Sequence, residues 1–160
     1  MKIAVIYVSK HGTTEKVAGS IAGKFKETNE VELFSLEKNP HPDISSFEEV
    51  ILGSPIYAGL ASRKMKSFCK ANESVLLQKK TGLFVCGMHP EKEQREKELK
   101  EAYPAVIREK AAAIGFLGGE FRFEQMNFFE RSIIAKIAKT QQSVSQIDSE
   151  AIDSFVERLK

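Results

Sequence analysis

The sequence predicts an α/β fold, a doubly wound five-stranded parallel sheet with helices on both faces. Three observations carry that prediction. Short apolar runs alternate with stretches of helical spacing along the chain, the pattern of a parallel sheet. The first run, Ile3–Val8, is rich in β-branched residues and has no polar break, as suits a strand buried on both faces. The length, 160 residues, is enough for one domain with a sizeable core, and right-handed crossovers then place helices on each side. We therefore expect one domain over residues 1–160.

Each element follows in order. After the strand at Ile3–Val8, helical spacing resumes at Glu15 with Val17, Ala18, Ile21, Ala22 and Phe25 on one face. Val31–Leu36 is the second strand. Glu37–Phe47 carries Pro40 and Pro42, which lack a ladder donor, and marks a loop. Val50–Gly53 is a short third strand opening into the loop Ser54–Leu60. A helix over Ser62–Ala71 turns Met65, Phe68 and Cys69 inward, and Thr81–Met88 is the fourth strand. Glu91–Lys100 is heavily charged and is expected to be a solvated helical turn or loop. Pro104 suits the first turn of a helix ending near Gly115. Phe116–Phe123 is the fifth strand, kinked or bulged at Gly118-Gly119. Glu130–Lys139 places Ile133, Ile134, Ile137 and Ala138 on one helical face, and Ile147–Leu159 forms the last helix.

Composition narrows the classes. With 42% hydrophobic and 29% charged residues the chain is ordinary for a globular protein. A net charge of +2, without aromatics interleaved in a basic patch, argues against a nucleic-acid binder. No apolar run approaches a membrane span, so no transmembrane segment is predicted, although peripheral membrane contact stays open. Met1-Lys2 leads straight into a strand, which favours a cytoplasmic location. Cys69 and Cys86 form no C-x-x-C pair and are read as small apolar residues. His11, His41 and His89 have no metal-ligand spacing, so no metal site is expected.

The chemistry gathers at Ser9-Lys10-His11-Gly12-Thr13-Thr14, between the first strand and the first helix. The first N–H groups of a helix lack intrahelical partners and its dipole favours an anion there, so a strand, a short turn and a helix make a phosphate cradle. Gly12 allows close backbone approach, and Ser9, Thr13 and Thr14 supply hydroxyls. There is no G-x-x-x-x-G-K-[ST] and no G-x-G-x-x-G, so neither a nucleoside-triphosphate loop nor a dinucleotide fingerprint is present.

What remains resembles the flavodoxin phosphate loop, approximately [ST]-x-[ST]-G-x-[ST], with His11 where that pattern has a hydroxyl. Val50-Ile51-Leu52-Gly53-Ser54-Pro55-Ile56-Tyr57-Ala58-Gly59 is similar to the flavin-ring loop of the same family, and the resemblance spans nearly the whole chain. It implies strand order 2-1-3-4-5, with FMN beyond the C-terminal ends of strands 1, 3 and 4. The implied cofactor-binding residues are Ser9, Lys10, His11, Gly12, Thr13 and Thr14 for the phosphate. For the ring they are Ser54, Pro55, Ile56, Tyr57, Ala58 and Gly59, with Cys86, Gly87 and Met88 from the third strand end. Tyr57 offers a flat surface for stacking, worth about 1 kcal/mol beyond burial.

Within the superfamily the chain also resembles the menaquinone-linked protoporphyrinogen oxidases. Lys10 is a basic second residue of the loop, and Gly119-Glu120-Phe121-Arg122-Phe123 and Phe128-Phe129-Glu130-Arg131 are similar to theirs, while Thr140–Gln146 is shorter. Electron-carrying flavodoxins are usually strongly acidic, which this chain is not.

Three readings follow. The first is an FMN redox protein in electron transfer, its partner a protein or a small redox substrate. The second is an FMN oxidoreductase acting on a porphyrinogen with a quinone acceptor; Arg122 and Arg131 read first as structural or surface pairs, and in this second reading an anionic porphyrin or protein partner could use them. The third is a flavin-free α/β binding module. A receiver domain is disfavoured, since Ser9-Lys10-His11 replaces the acids needed to hold Mg²⁺. No side chain is assigned as catalytic acid, base or nucleophile, and the oligomeric state is not readable.

Overall fold

The computed structural model of the chain describes residues 1–57, 60–89, 91–121, 144–145 and 147–160, with the backbone alone for 57, 120, 121, 144 and 145. The first half contains β1 (Lys2–Tyr7), α1 (Thr13–Phe25), β2 (Glu30–Ser35), β3 (Glu49–Tyr57), β4 (Leu60–Ala61), α2 (Arg63–Ala71) and α3 (Glu73–Leu76). The second contains β5 (Lys80–Cys86), α4 (Lys92–Ala102), α5 (Ala105–Lys110), β6 (Ala113–Phe116), β7 (Glu120–Phe121), β8 (Val144–Ser145) and a last helix, α6 (Ser149–Leu159).

Successive strand residues point to opposite faces, and β1 shows what each face demands. Ile3, Val5 and Tyr7 join a core with Val17 and Ile21 of α1 and Phe155 of α6. Ala4 and Ile6 join a second core with Met65 and Phe68 of α2 and with Tyr103 and Ile107. Both faces are therefore sealed, and each large aliphatic or aromatic side chain so buried contributes about 1.5–3 kcal/mol. The parallel strands run in the order β2-β1-β3-β5-β6, which is the predicted 2-1-3-4-5 once the two-residue β4, antiparallel to β3, is set aside. The chain therefore leaves β1 on one side for β2 and on the other for β3, so the connections diverge above the β1 and β3 ends.

Four boundaries differ from expectation. β3 does not stop at Gly53 but runs to Tyr57, with Ser54 paired to Val85 and Pro55 to Cys86. Pro55 is tolerated because the Gly53 carbonyl faces β1 and accepts from Val8 N–H at 3.1 Å. By alternation the missing Pro55 N–H faces the same side, where β1 pairing has ended at Tyr7↔Gly53. The charged stretch from Lys92 is not a turn but an 11-residue helix, α4. Its Lys, Glu, Gln and Leu residues are strong helix formers, but only Glu98 and Ala102 are buried, so no apolar stripe announced it.

The helix after Pro104 ends at Lys110, and Gly115 lies inside β6, paired with Phe84. A Cβ there would come to 3.3 Å from Phe155 Cδ2 of α6, so the strand and the last helix meet where glycine leaves room. The predicted fifth strand over Phe116–Phe123 is accordingly displaced towards the N-terminus. It ends at Phe116, Gly118 adopts a positive φ of 80°, and β7 pairs with β8 in a separate two-stranded sheet. Asp148 caps α6, its Oδ1 accepting from Ala151 N–H at 2.9 Å. The helix expected over Glu130–Lys139 lies outside the described residues.

Candidate functional site

Residues 9–12 form the turn that β1 hands to α1. Ser9 Oγ accepts from Gly12 N–H at 3.0 Å and closes the loop on itself. Gly12 has φ 90° and caps α1 in the left-handed region, a conformation that L side chains adopt only at a cost. The first helical bond runs from Lys16 N–H to Gly12 O at 3.0 Å, so the N–H groups of Thr13, Thr14 and Glu15 precede the intrahelical ladder. Thr14 is 1% exposed, and its Oγ1 is buried without a hydrogen bond. The Cys86 thiol lies close enough to feel this hydroxyl, but outside bonding geometry. Glu15, the acid of the first turn, accepts from Tyr7 O–H at 3.2 Å. Burial, then the Glu15 charge, raises the Tyr7 hydroxyl above its ordinary pKa.

Of the expected residues in this loop, Lys10 is exposed, Ser9, His11, Gly12 and Thr13 are half-buried, and Thr14 is buried. In the second segment Ser54 is fully buried and its hydroxyl donates to Pro55 O at 3.3 Å, while Pro55 and Ile56 are half-buried. The Tyr57 backbone ends β3; its side chain, and Ala58 and Gly59 altogether, lie outside the described residues.

The third segment leaves β5 beside the second, since Pro55 pairs with Cys86. Cys86 is buried, and burial pushes its thiol up to about 12, so this sulfur is an inert wall and not a nucleophile. Gly87 is buried, and Met88 is half-buried. The topology thus brings the three predicted segments to one end of the sheet, at the ends of β1, β3 and β5.

Sequence reasoning missed what supports the third segment. Gly87 N–H donates to Gly118 O at 2.9 Å, and a Cβ on Gly119 would sit 3.0 Å from both Gly87 O and Met88 Cγ. The Gly118-Gly119 pair, read as a strand kink, is therefore also a close-approach point. Beside it lies a cavity of about 560 Å³ lined by Met88, His89, Arg95, Phe116, Gly118 and Asp148. The Arg95 guanidinium lies over the Phe116 ring, 5.6 Å from its centroid. Glu98 is buried below, its carboxyl raised by desolvation and drawn back chiefly by the charge of His89. Only the folded α4 brings Arg95 and Glu98 here, so no sequence motif marks them.

Arg122, Phe123 and Phe128–Arg131 lie outside the described residues, so of the oxidase-like segments only Gly119 and the backbone of Glu120 and Phe121 are described. Among the described residues, no group of His, Cys, Asp and Glu is placed to hold a metal ion. No helix among them is long and apolar enough to cross a membrane.

A family model described as a flavodoxin domain matches residues 4–148. No curated protein matches the sequence. Among solved structures the chain is similar to the flavodoxin of Streptococcus pneumonia TIGR4, at 16% identity and TM-score 0.60, covering 99% of this chain and 97% of that one. It is similar also to two-electron reduced Megasphaera elsdenii flavodoxin, at 18% identity and TM-score 0.60, covering 98% and 97%. Oxidised Flavodoxin 1 from Bacillus cereus is similar at 21% identity and TM-score 0.57, covering 99% and 95%.

Proposed function

The chain belongs to the flavodoxin-domain family, and from that premise we propose that it binds FMN at the ends of β1, β3 and β5 and passes electrons to a partner. The observation that carries the reading is the start of α1. There a left-handed Gly12 and a buried, unpartnered Thr14 hydroxyl stand beside helix N–H groups that precede the ladder. A buried hydroxyl without a partner is a cost that a phosphate oxygen would remove. FMN, when bound, supplies the redox chemistry.

The protein's part is to bind and orient. Ser9, Thr13 and Thr14 with the α1 N–H groups hold the phosphate, and Lys10 adds charge beside it. The Ser54–Gly59 and Cys86–Met88 segments flank the ring, where Ser54, Pro55 and Cys86 set the wall and Tyr57 supplies a stacking surface. Tyr7 O–H bonds Glu15 and so screens the one acidic side chain of the first turn from the phosphate.

The test is titration of the purified chain with FMN, followed by quenching of flavin fluorescence and by visible absorption. Saturable one-to-one binding that riboflavin, lacking the phosphate, does not match is the expected result. A folded chain that leaves FMN fluorescence unquenched overturns the reading.

A further inference from the structure

Helix α4 has no apolar stripe, yet it turns one cation towards the fold. Arg95 is half-buried, and its guanidinium lies over the Phe116 ring, 5.6 Å from the centroid. That contact uses one flat face of the group and leaves its N–H donors, which lie in the plane, to bond elsewhere. Among the described residues Arg95 makes no hydrogen bond and no ion pair, not even with Glu98, buried on the next turn. A half-buried guanidinium gives up water without gaining a partner, and a ligand would complete the arrangement.

Arg95 lines the cavity of about 560 Å³ beside Gly87 and Met88, a volume within the range of small-molecule sites. His89, also half-buried, lines the same cavity. Its Nδ1 accepts from Glu91 N–H at 3.1 Å, so in the neutral imidazole the hydrogen sits on Nε2, which has no partner among the described residues. Met88, Phe116 and Ile147 supply apolar wall. The two carboxylates of the lining, Asp148 and Glu150, are exposed at the start of α6, and Asp148 already spends Oδ1 on Ala151 N–H. The donors are thus the sheltered groups and the acids the exposed ones.

We propose that this cavity is a binding site for a small monocarboxylate with a flat apolar body, its oxygens taken by the Arg95 fork with His89 Nε2–H as a further donor. A planar guanidinium matches a carboxylate edge to edge. Phe116 holds that guanidinium in place before the ligand arrives, which lowers the cost of binding. Asp148 and Glu150 act against a second negative charge, which disfavours dicarboxylates and phosphate monoesters. The site makes no use of the cradle at the start of α1, so the proposal does not rest on the FMN reading.

The probe is cinnamate, titrated into the chain with and without saturating FMN while backbone amide shifts are followed by NMR. Saturable one-to-one binding is expected, with shifts at His89, Arg95, Phe116 and Ser149 and affinities within about twofold in the two titrations. Cinnamamide, of the same shape without the charge, should bind at least about tenfold more weakly. Arg95→Gln should weaken cinnamate about tenfold or more, and glutamine is as good a helix former, so α4 is kept. Arg95→Lys keeps the charge, loses the fork and should recover only part of the affinity. Lys97→Gln makes the same charge change on the exposed side of α4, where Lys97 pairs with Glu101 at 4.0 Å, and should leave affinity within about twofold.

Absence of saturation by about 10 mM cinnamate, shifts confined to another face, or equal binding of cinnamamide would overturn the proposal. So would equal effects of Arg95→Gln and Lys97→Gln. Displacement of cinnamate by FMN would overturn it too, since the probe would then occupy the proposed flavin site. Failure of FMN to bind would count against the flavin reading alone, because the flavin-free titration still decides the cavity.

Discussion

Thr14→Val removes one hydroxyl and changes little else, because the two side chains have nearly the same shape. The hydroxyl is buried, with the residue 1% exposed, and makes no hydrogen bond. Leaving such a group unsatisfied costs about 1–3 kcal/mol. In the flavin-free chain the substitution should therefore raise stability by up to that amount, at about 2–4 °C in Tm per kcal/mol for a chain of this size. With FMN bound the sign reverses. A hydroxyl donating to a phosphate oxygen makes a charge-assisted bond of about 1.5–3 kcal/mol, so its loss should raise the FMN dissociation constant roughly 10- to 150-fold. Thermal unfolding with and without FMN, together with a fluorescence titration, measures both effects on the same protein. A flavin-free Thr14→Val chain less stable than its parent would show that the hydroxyl is satisfied. Unchanged FMN affinity in a folded variant would show that it faces something other than phosphate.

Three further outcomes are expected. Gly12→Ala forces a side chain to φ 90° and should cost about 1–2 kcal/mol in urea denaturation, with a parallel loss of FMN affinity. Gly53→Ala puts a Cβ 2.1 Å from Phe84 Cζ, against a ring already packed edge-on to Phe155, and should destabilise by about 1–3 kcal/mol; adding Phe84→Leu should restore part of that in a double-mutant cycle. Glu49 is fully buried with neither carboxylate oxygen hydrogen-bonded, and burial, opposed by Lys80 at 3.7 Å, holds its pKa above the ordinary value. An acid raised in this way favours the folded state below its unfolded pKa and loses that contribution as pH rises through the folded one. Glu49→Gln should therefore be more stable than the parent at pH 7 by about 1 kcal/mol, and the gain should vanish in a pH series as the medium enters the ordinary carboxylate range.

The strands were readable where burial on both faces leaves an unbroken apolar run, as at Ile3–Val8, and the turn between β1 and α1 was readable because Ser9–Thr14 breaks that run with Gly12 and hydroxyl residues before helical spacing resumes. Long-range pairing was less so. Ser54-Pro55 looks like a loop until β5 is seen to continue alongside it, and Ala112–Gly115 has helical propensity that pairing with β5 overrides. The helix α4 was hidden for the opposite reason: it is helical by propensity and nearly without an apolar face. Within the site, sequence gave no sign that Ser54 would spend its hydroxyl on its own chain, nor that Gly119 would press on Gly87 and Met88. Both facts depend on how closely two backbones approach.

Tyr103 has a consequence beyond its place in the core. From the end of α4 its buried hydroxyl reaches Leu52 O at 2.9 Å and Phe84 O at 2.6 Å, one carbonyl on each of the two strands that lead into Ser54-Pro55 and Cys86-Gly87. Having a single proton to share between them, it acts as a rivet through β3 and β5 just before they separate. The spacing of the two strands just before Ser54-Pro55 and Cys86-Gly87 is thus set by a side chain from a third element. Prising β3 and β5 apart at that level would leave this buried hydroxyl and at least one of the two carbonyls without a partner, so the strand ends above it are held at one spacing.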